Sequence, residues 1–112
     1  MVLVTRGDLV LVAMPGDYGK PRPALVVQSD LFNETHASVT VAPVTTTIVD
    51  APLFRVTVER TARNGLRSLS QIMVDKVTTV RRERIGKTSG SVEDDTMVRA
   101  NRALALWLGL TA

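Results

Sequence analysis

Two prolines bracket a single arginine in Pro21-Arg22-Pro23, and an unbroken apolar run, Ala24 to Val27, follows at once. Each proline fixes its own φ and drives the residue before it toward extended backbone, so Lys20 and Arg22 are both expected to be extended. Gly16, Asp17 and Gly19, just upstream, are turn formers. A loop therefore runs straight into a buried strand, and the stretch Gly16 to Asp30 presents Arg22 as a positioned cation at the base of that loop.

Around this stretch, 112 residues make one domain spanning 1–112. The composition is 45% hydrophobic but only 4% aromatic, so the core is built from Val, Leu and Ile. The chain has no cysteine, which excludes disulfides, cysteine–zinc sites and thiol catalysis. His36 is the single histidine; it lacks the partners that a metal site or a paired-histidine mechanism requires and reads as a loop residue. The N-terminal MVLVTRGD is too short an apolar run for a signal peptide, and nothing approaches the ~20 apolar residues of a membrane span. A cytoplasmic protein without membrane contact is expected. A net charge of +3 and a pI near 10.0 favour polyanionic partners.

Asp8 to Ala13 reads as a first strand and Ala24 to Gln28 as a second, both apolar on successive residues and so covered on both faces. Ser29 to Ala37 is a polar connection. Ser38 to Thr45 alternates as a third strand, with Pro43 marking an edge, bulge or strand end, and Thr45 to Thr47 are expected to leave the sheet. Phe54 to Val58 forms a fourth strand, Asn64-Gly65 a turn, and Ser68 to Val80 one long strand or two joined by a kink. On a straight strand Asp75 would share a face with Met73 and Val77. Arg81 to Ile85 suggests a turn of helix broken at Gly86. From Ser91, a plausible N-cap, the pattern turns helical, with Glu93, Asp94 and Asp95 in the first turn. Met97, Ala100, Leu104, Trp107 and Leu108 form its apolar stripe, Asp95 and Arg99 are spaced to pair, and Gly109 ends it. Short connections cannot build parallel crossovers, so the expected fold is mainly β: a small antiparallel barrel with a C-terminal helix packed outside.

Two tempting strings carry no function. Gly86-Lys87-Thr88 lacks the glycine that a phosphate-binding loop needs five residues earlier, where Arg81 stands. Asn33-Glu34-Thr35 fits a glycosylation sequon without a secretory signal. What remains is Arg22, the run Thr45 to Thr47, and Asp75. Read alone, Arg22 is equally a surface or salt-bridged arginine, the threonines an ordinary strand end, and Asp75 a hydrogen-bonded carboxylate that clamps a loop.

Arg6-Gly7-Asp8 leading into an apolar strand, then GKPRPALVVQSD, then VTVAPVTTT from Val39 to Thr47, resembles the MazF/PemK family of toxin endoribonucleases. The resemblance continues more loosely through Gly65-Leu66-Arg67 and Asp75 to the C-terminal helix. It implies an SH3-like barrel, a homodimer, and cofactor-free, metal-independent cleavage of single-stranded RNA by attack of a ribose 2′-hydroxyl on the adjacent phosphorus. It also implies an antitoxin partner that inserts an extended acidic segment. The family's two central catalytic residues map onto Arg22 and Thr45. Tyr18 is then placed to stack on an unpaired base and Lys20 to hold a phosphate, with Thr46 and Asp75 completing the substrate contacts.

The chemistry suits this assignment. Displacement at phosphorus builds negative charge on oxygen, which a guanidinium binds bidentately, and a threonine hydroxyl donates to a phosphate oxygen or orients the 2′-hydroxyl. Departures occur in the late strand, where Asp75, Lys76, Val77, Thr78 and Thr79 stand in place of an Asp-Gln-x-Arg-Thr pattern, and Met73 replaces an arginine. The first loop, with Tyr18 and Gly19, also lacks a histidine of some relatives. The alternative is a CcdB-like toxin of the same fold that binds DNA gyrase without cutting RNA; against it, the apolar end Trp107 to Ala112 reads as core packing.

Overall fold

A computed structural model describes residues 3–14 and 20–111. Seven strands, β1 (Asp8–Ala13), β2 (Pro21–Val26), β3 (Ser38–Thr45), β4 (Arg55–Val58), β5 (Ser70–Met73), β6 (Thr78–Arg81) and β7 (Ile85–Ser91), form one antiparallel sheet with a C-terminal helix. The helices are α1 (Asp30–Asn33) and α2 (Asp94–Trp107). The order across the sheet is β4-β5-β3-β2-β1-β7, and β6 adds to β3.

β3 organises the sheet. One of its edges pairs with β2, and the other is shared: Ser38 to Val41 pair with β6, and Val44 and Thr45 pair with β5. Between those ladders the chain makes a 3-10 turn, Val74–Lys76, beside Ala42 and Pro43. Thr40 O accepts the Val27 N–H, so alternation turns the position of Pro43's missing N–H the other way, into the gap between ladders where no hydrogen bond is lost. Expected to mark an edge, bulge or strand end, Pro43 marks a break between two ladders inside β3.

Side-chain alternation sorts the core into two clusters. Leu9, Leu25, Ala42, Val44, Val56 and Ile72 lie on the face covered by Ala100, Ala103 and Leu104 of α2. Val10, Val12, Ala24, Val26, Val39, Val41, Val80 and Ile85 fill the opposite face. The first three strands are thus buried on both sides, as their continuous apolar runs require, and the expected mainly-β architecture with a packed C-terminal helix is borne out.

Several local expectations are corrected. β2 begins at Pro21 rather than Ala24, and the polar connection contains α1, one turn capped by Ser29 Oγ, which accepts the Leu31 N–H at 3.2 Å. Asp75 lies on the 3-10 turn, not on a straight strand. Arg82–Arg84 do form a short 3-10 turn, but Gly86 continues into β7. Ser91 ends that strand, and Glu93 is the residue preceding α2. Arg99 does not pair with Asp95; its Nη1 donates to Thr57 O at 2.8 Å. Trp107 and Leu108, placed in the buried stripe by their spacing, are 50% and 56% exposed, Trp107 being covered only in part by the Phe54 ring, 5.8 Å away. Gly109 does end the helix, with φ 72°.

Candidate active site

The register of the central strands assembles the site. Ala24 pairs with Pro43 and Leu25 with Ala42; extended two residues past the last of these pairs, the register sets Arg22 of β2 opposite Thr45 of β3. Thr45 in turn pairs with Gln71 of β5, and Gln71 with Thr57 of β4. Arg22, Thr45, Gln71 and Thr57 therefore form one row across four adjacent strands. Cross-strand partners share a face, and this row lies on the face away from α2, where the apolar cluster of Val10, Val12 and Ala24 gives way to polar side chains.

Each member is held differently. Arg22 is exposed at the start of β2, between prolines whose fixed φ keeps the backbone extended. Thr45 closes β3, and its Oγ1 accepts the Thr47 N–H at 3.1 Å. That side-chain turn leads the chain out of the sheet from Thr46 on, whereas Thr45, expected to leave with it, stays paired in β3; its hydroxyl proton is left to donate elsewhere. Thr46 lies beyond the ladder and is exposed, and Lys20 is exposed just before β2. Tyr18 lies outside the described residues. Asp75 is on the far side of β3 from Arg22, half-buried, with Oδ1 buried and accepting no hydrogen bond among the described residues. The hydrogen-bonded loop clamp expected of it is not formed.

The clamp is made by a residue that the sequence did not single out. Gln71, 3% exposed, uses all of its amide. Oε1 accepts from Val49 N and Arg55 Nη1, both at 3.1 Å, and Nε2 donates to Val49 O at 2.9 Å and Thr57 Oγ1 at 3.1 Å. Arg55 Nη1 also donates to Thr47 O at 3.2 Å. Together these bonds fasten the segment after Thr45 onto the sheet. A glutamine inside the apolar strand SQIM was the available signal, but its partners come from a loop whose path the sequence does not specify.

The motifs that carried the resemblance prove largely structural. Gly7 adopts φ 98° at the turn into β1. Arg6 donates from Nε to Val27 O at 2.8 Å and from Nη2 to Asn101 Oδ1 at 2.6 Å, joining the end of β2 to α2. Gln28 Nε2 reaches Asn33 Oδ1 and Ser38 O, and its Oε1 accepts from Thr40 N. Asp30 Oδ1 accepts the Arg6 backbone N–H and the Asn33 amide, each at 2.8 Å, and these bonds hold its carboxyl below the usual carboxylate range. The network fastens the chain just after β2 to α1, to β3 and to α2.

Residues 5–108 match the family model described as PemK-like, MazF-like toxin of type II toxin-antitoxin system. A probable endoribonuclease MazF of Mycolicibacterium smegmatis is 48% identical over 94% of this chain and 96% of its own length. The endoribonuclease EndoA of Bacillus subtilis is 26% identical, with 97% of each chain covered. Among solved structures, an endoribonuclease in complex with its cognate antitoxin from mycobacterial species superposes with a TM-score of 0.81 at 27% identity, covering 97% of this chain and 98% of that one.

Proposed function

The chain belongs to the PemK-like, MazF-like toxins of type II toxin–antitoxin systems, and from that premise we propose that Arg22 and Thr45 are the catalytic pair of an endoribonuclease cutting single-stranded RNA. The observation that supports the assignment is the row: continued past Ala24 and Pro43, the β2–β3 register brings Arg22 opposite Thr45 on one face of the sheet.

In this reading the 2′-oxygen forms a bond to the adjacent phosphorus as the bond to the 5′-oxygen breaks, giving a 2′,3′-cyclic phosphate and a 5′-hydroxyl. The proton lost from the 2′-oxygen is balanced by one gained at the 5′-oxygen. Arg22 binds the nonbridging and leaving oxygens as their charge grows, an interaction worth more in the transition state than in the ground state. Thr45 donates its free hydroxyl proton to a phosphate oxygen. Lys20 holds a flanking phosphate, Thr46 contacts substrate beside it, Asp75 meets substrate from the opposite side of β3, and Tyr18 stacks on a base. No metal is assigned a step, because the charge is met by the guanidinium. Cleavage of a defined RNA in EDTA, abolished by a single 2′-deoxy substitution at the cut, is the expected result; cleavage that survives the deoxy substitution rules out 2′-attack.

The M. smegmatis relative is named an endoribonuclease, and the mycobacterial one was solved with its antitoxin. By the same reading this chain acts in the cytoplasm and is inhibited by an antitoxin whose extended acidic segment lies along Lys20 and Arg22, blocking the site. We assign the exposed apolar end of α2, where Trp107 is 50%, Leu108 56% and Leu110 77% exposed, to a homodimer contact. That end is not core, so the sequence argument against gyrase binding falls; the family relatives, not core packing, favour RNA cleavage over the CcdB-like alternative.

A further inference from the structure

Along the free edge of β4, between α2 and the segment 49–53, lies a cavity of about 400 Å³, in the size range of ligand sites. Arg55, Arg99 and Arg102 line it against a single carboxylate, Asp50, and Leu53 and Leu106 give it apolar walls. The cationic donors are largely unspent. Arg99 commits Nη1 to Thr57 O, and Arg55 commits Nη1 to Thr47 O and Gln71 Oε1, while its Nε is buried without an acceptor. Arg102 makes no hydrogen bond or ion pair among the described residues, and each guanidinium carries five N–H donors. Low-dielectric walls around clustered positive charge concentrate the field on an entering anion.

The cavity adjoins the end of the catalytic row at the β4 edge, because Thr57 and Gln71 line it. From Arg22 to Thr57 is three strand spacings, about 14 Å, a span covered by a few nucleotides of extended single strand. We propose that this cavity binds a non-scissile phosphate of the RNA substrate, with Arg102 as its principal contact; the proposal rests on the endoribonuclease reading. A nucleotide suits the whole lining. Its phosphate meets the guanidinium groups, its sugar or base lies against the apolar walls, and its hydroxyl or amino donors meet Asp50.

The test uses the full-length protein and a single-stranded RNA with one cleavage site, its phosphates replaced one at a time by neutral methylphosphonates. At one position away from the cut, neutralisation raises KM about tenfold, the value of one charge-assisted contact, and leaves kcat nearly unchanged. Arg102→Ala raises KM on unmodified RNA by a similar factor and no longer responds to that replacement. Arg81→Ala, which removes the same charge at the far end of β3, keeps the positional response. The proposal is overturned if Arg102→Ala retains the wild-type response at every position, or if it weakens only the binding of a synthetic acidic antitoxin peptide while RNA kinetics stay unchanged. A wild-type protein that cuts no RNA overturns the endoribonuclease reading itself.

Discussion

Arg55 Nη1 lies 3.1 Å from Gln71 Oε1 and 3.2 Å from the Thr47 carbonyl, so one guanidinium nitrogen ties the turn after Thr45 to the neighbouring strand. The Thr45 hydroxyl is thereby placed by a side-chain network rather than by strand pairing alone.

Gln71→Leu removes all four amide bonds, two of them to the Val49 backbone, at a cost of about 1–3 kcal/mol for part-buried hydrogen bonds worth roughly 1 kcal/mol each. Because those groups position the Thr45 turn, kcat is expected to fall about tenfold or more under conditions where the variant is fully folded, with a smaller change in KM. Gln71→Glu keeps an acceptor for Arg55 and is expected to recover part of that loss. Denaturant unfolding alongside steady-state cleavage checks both; lower stability with unchanged kcat would reduce Gln71 to structural support.

Acid weakens the fold in a defined direction. The Arg6 N–H, then Asn33, lower the Asp30 pKa, and the Thr61 hydroxyl, 2.7 Å from Glu93 Oε2, lowers that of Glu93. A carboxyl whose folded pKa is depressed contributes stability above its unfolded value, about 4 for these side chains. That contribution is lost as pH falls through the folded value. Thermal melts are expected to show Tm dropping below about pH 4 and the drop shrinking in Asp30→Ala; an unchanged acid limb in that variant would remove Asp30 from the account.

The close approach of β7 to the 59–66 turn tolerates no side chain. A Cβ at Gly90 would stand 2.4 Å from Asn64 O, and one at Gly65, where φ is 66°, would stand 2.4 Å from Ser89 O. Gly90→Ala is expected to destabilise by about 1–3 kcal/mol, the usual cost of overpacking, as a lower urea midpoint.

What the sequence disclosed follows the same physics. β1 and β3 were legible to the residue because their alternation or apolar runs match their burial, and Arg22 because its two prolines dictate its backbone. β7, IGKTSGS, was not legible: it has two glycines and little apolar content, and it becomes a strand because the edge of β1 offers pairing. α1 is a single turn defined by its Ser29 cap. The stripe through Trp107 and Leu108 was correctly periodic, but periodicity cannot show how much of a helix face its neighbours cover. The Gln71 network depends on a loop folding back over β5, a nonlocal contact with no local signature.

The exposed end of α2 yields its own outcome. If it is a contact between two copies, Trp107→Glu shifts the molecular mass measured by light scattering from dimer to monomer while the far-ultraviolet circular dichroism stays native. A wild-type protein that is monomeric at micromolar concentration contradicts the assignment.

The central claim, that Arg22 and Thr45 act as one unit on the scissile phosphate, is tested most directly by a double-mutant cycle in kcat/KM on a defined RNA. Arg22→Ala and Thr45→Val are each expected to lower it by about 10²–10³-fold. The double variant should then be little worse than the weaker single one, because groups acting as a unit are not additive. Undiminished cleavage by Arg22→Ala, or losses that simply multiply in the double variant, would contradict the pairing.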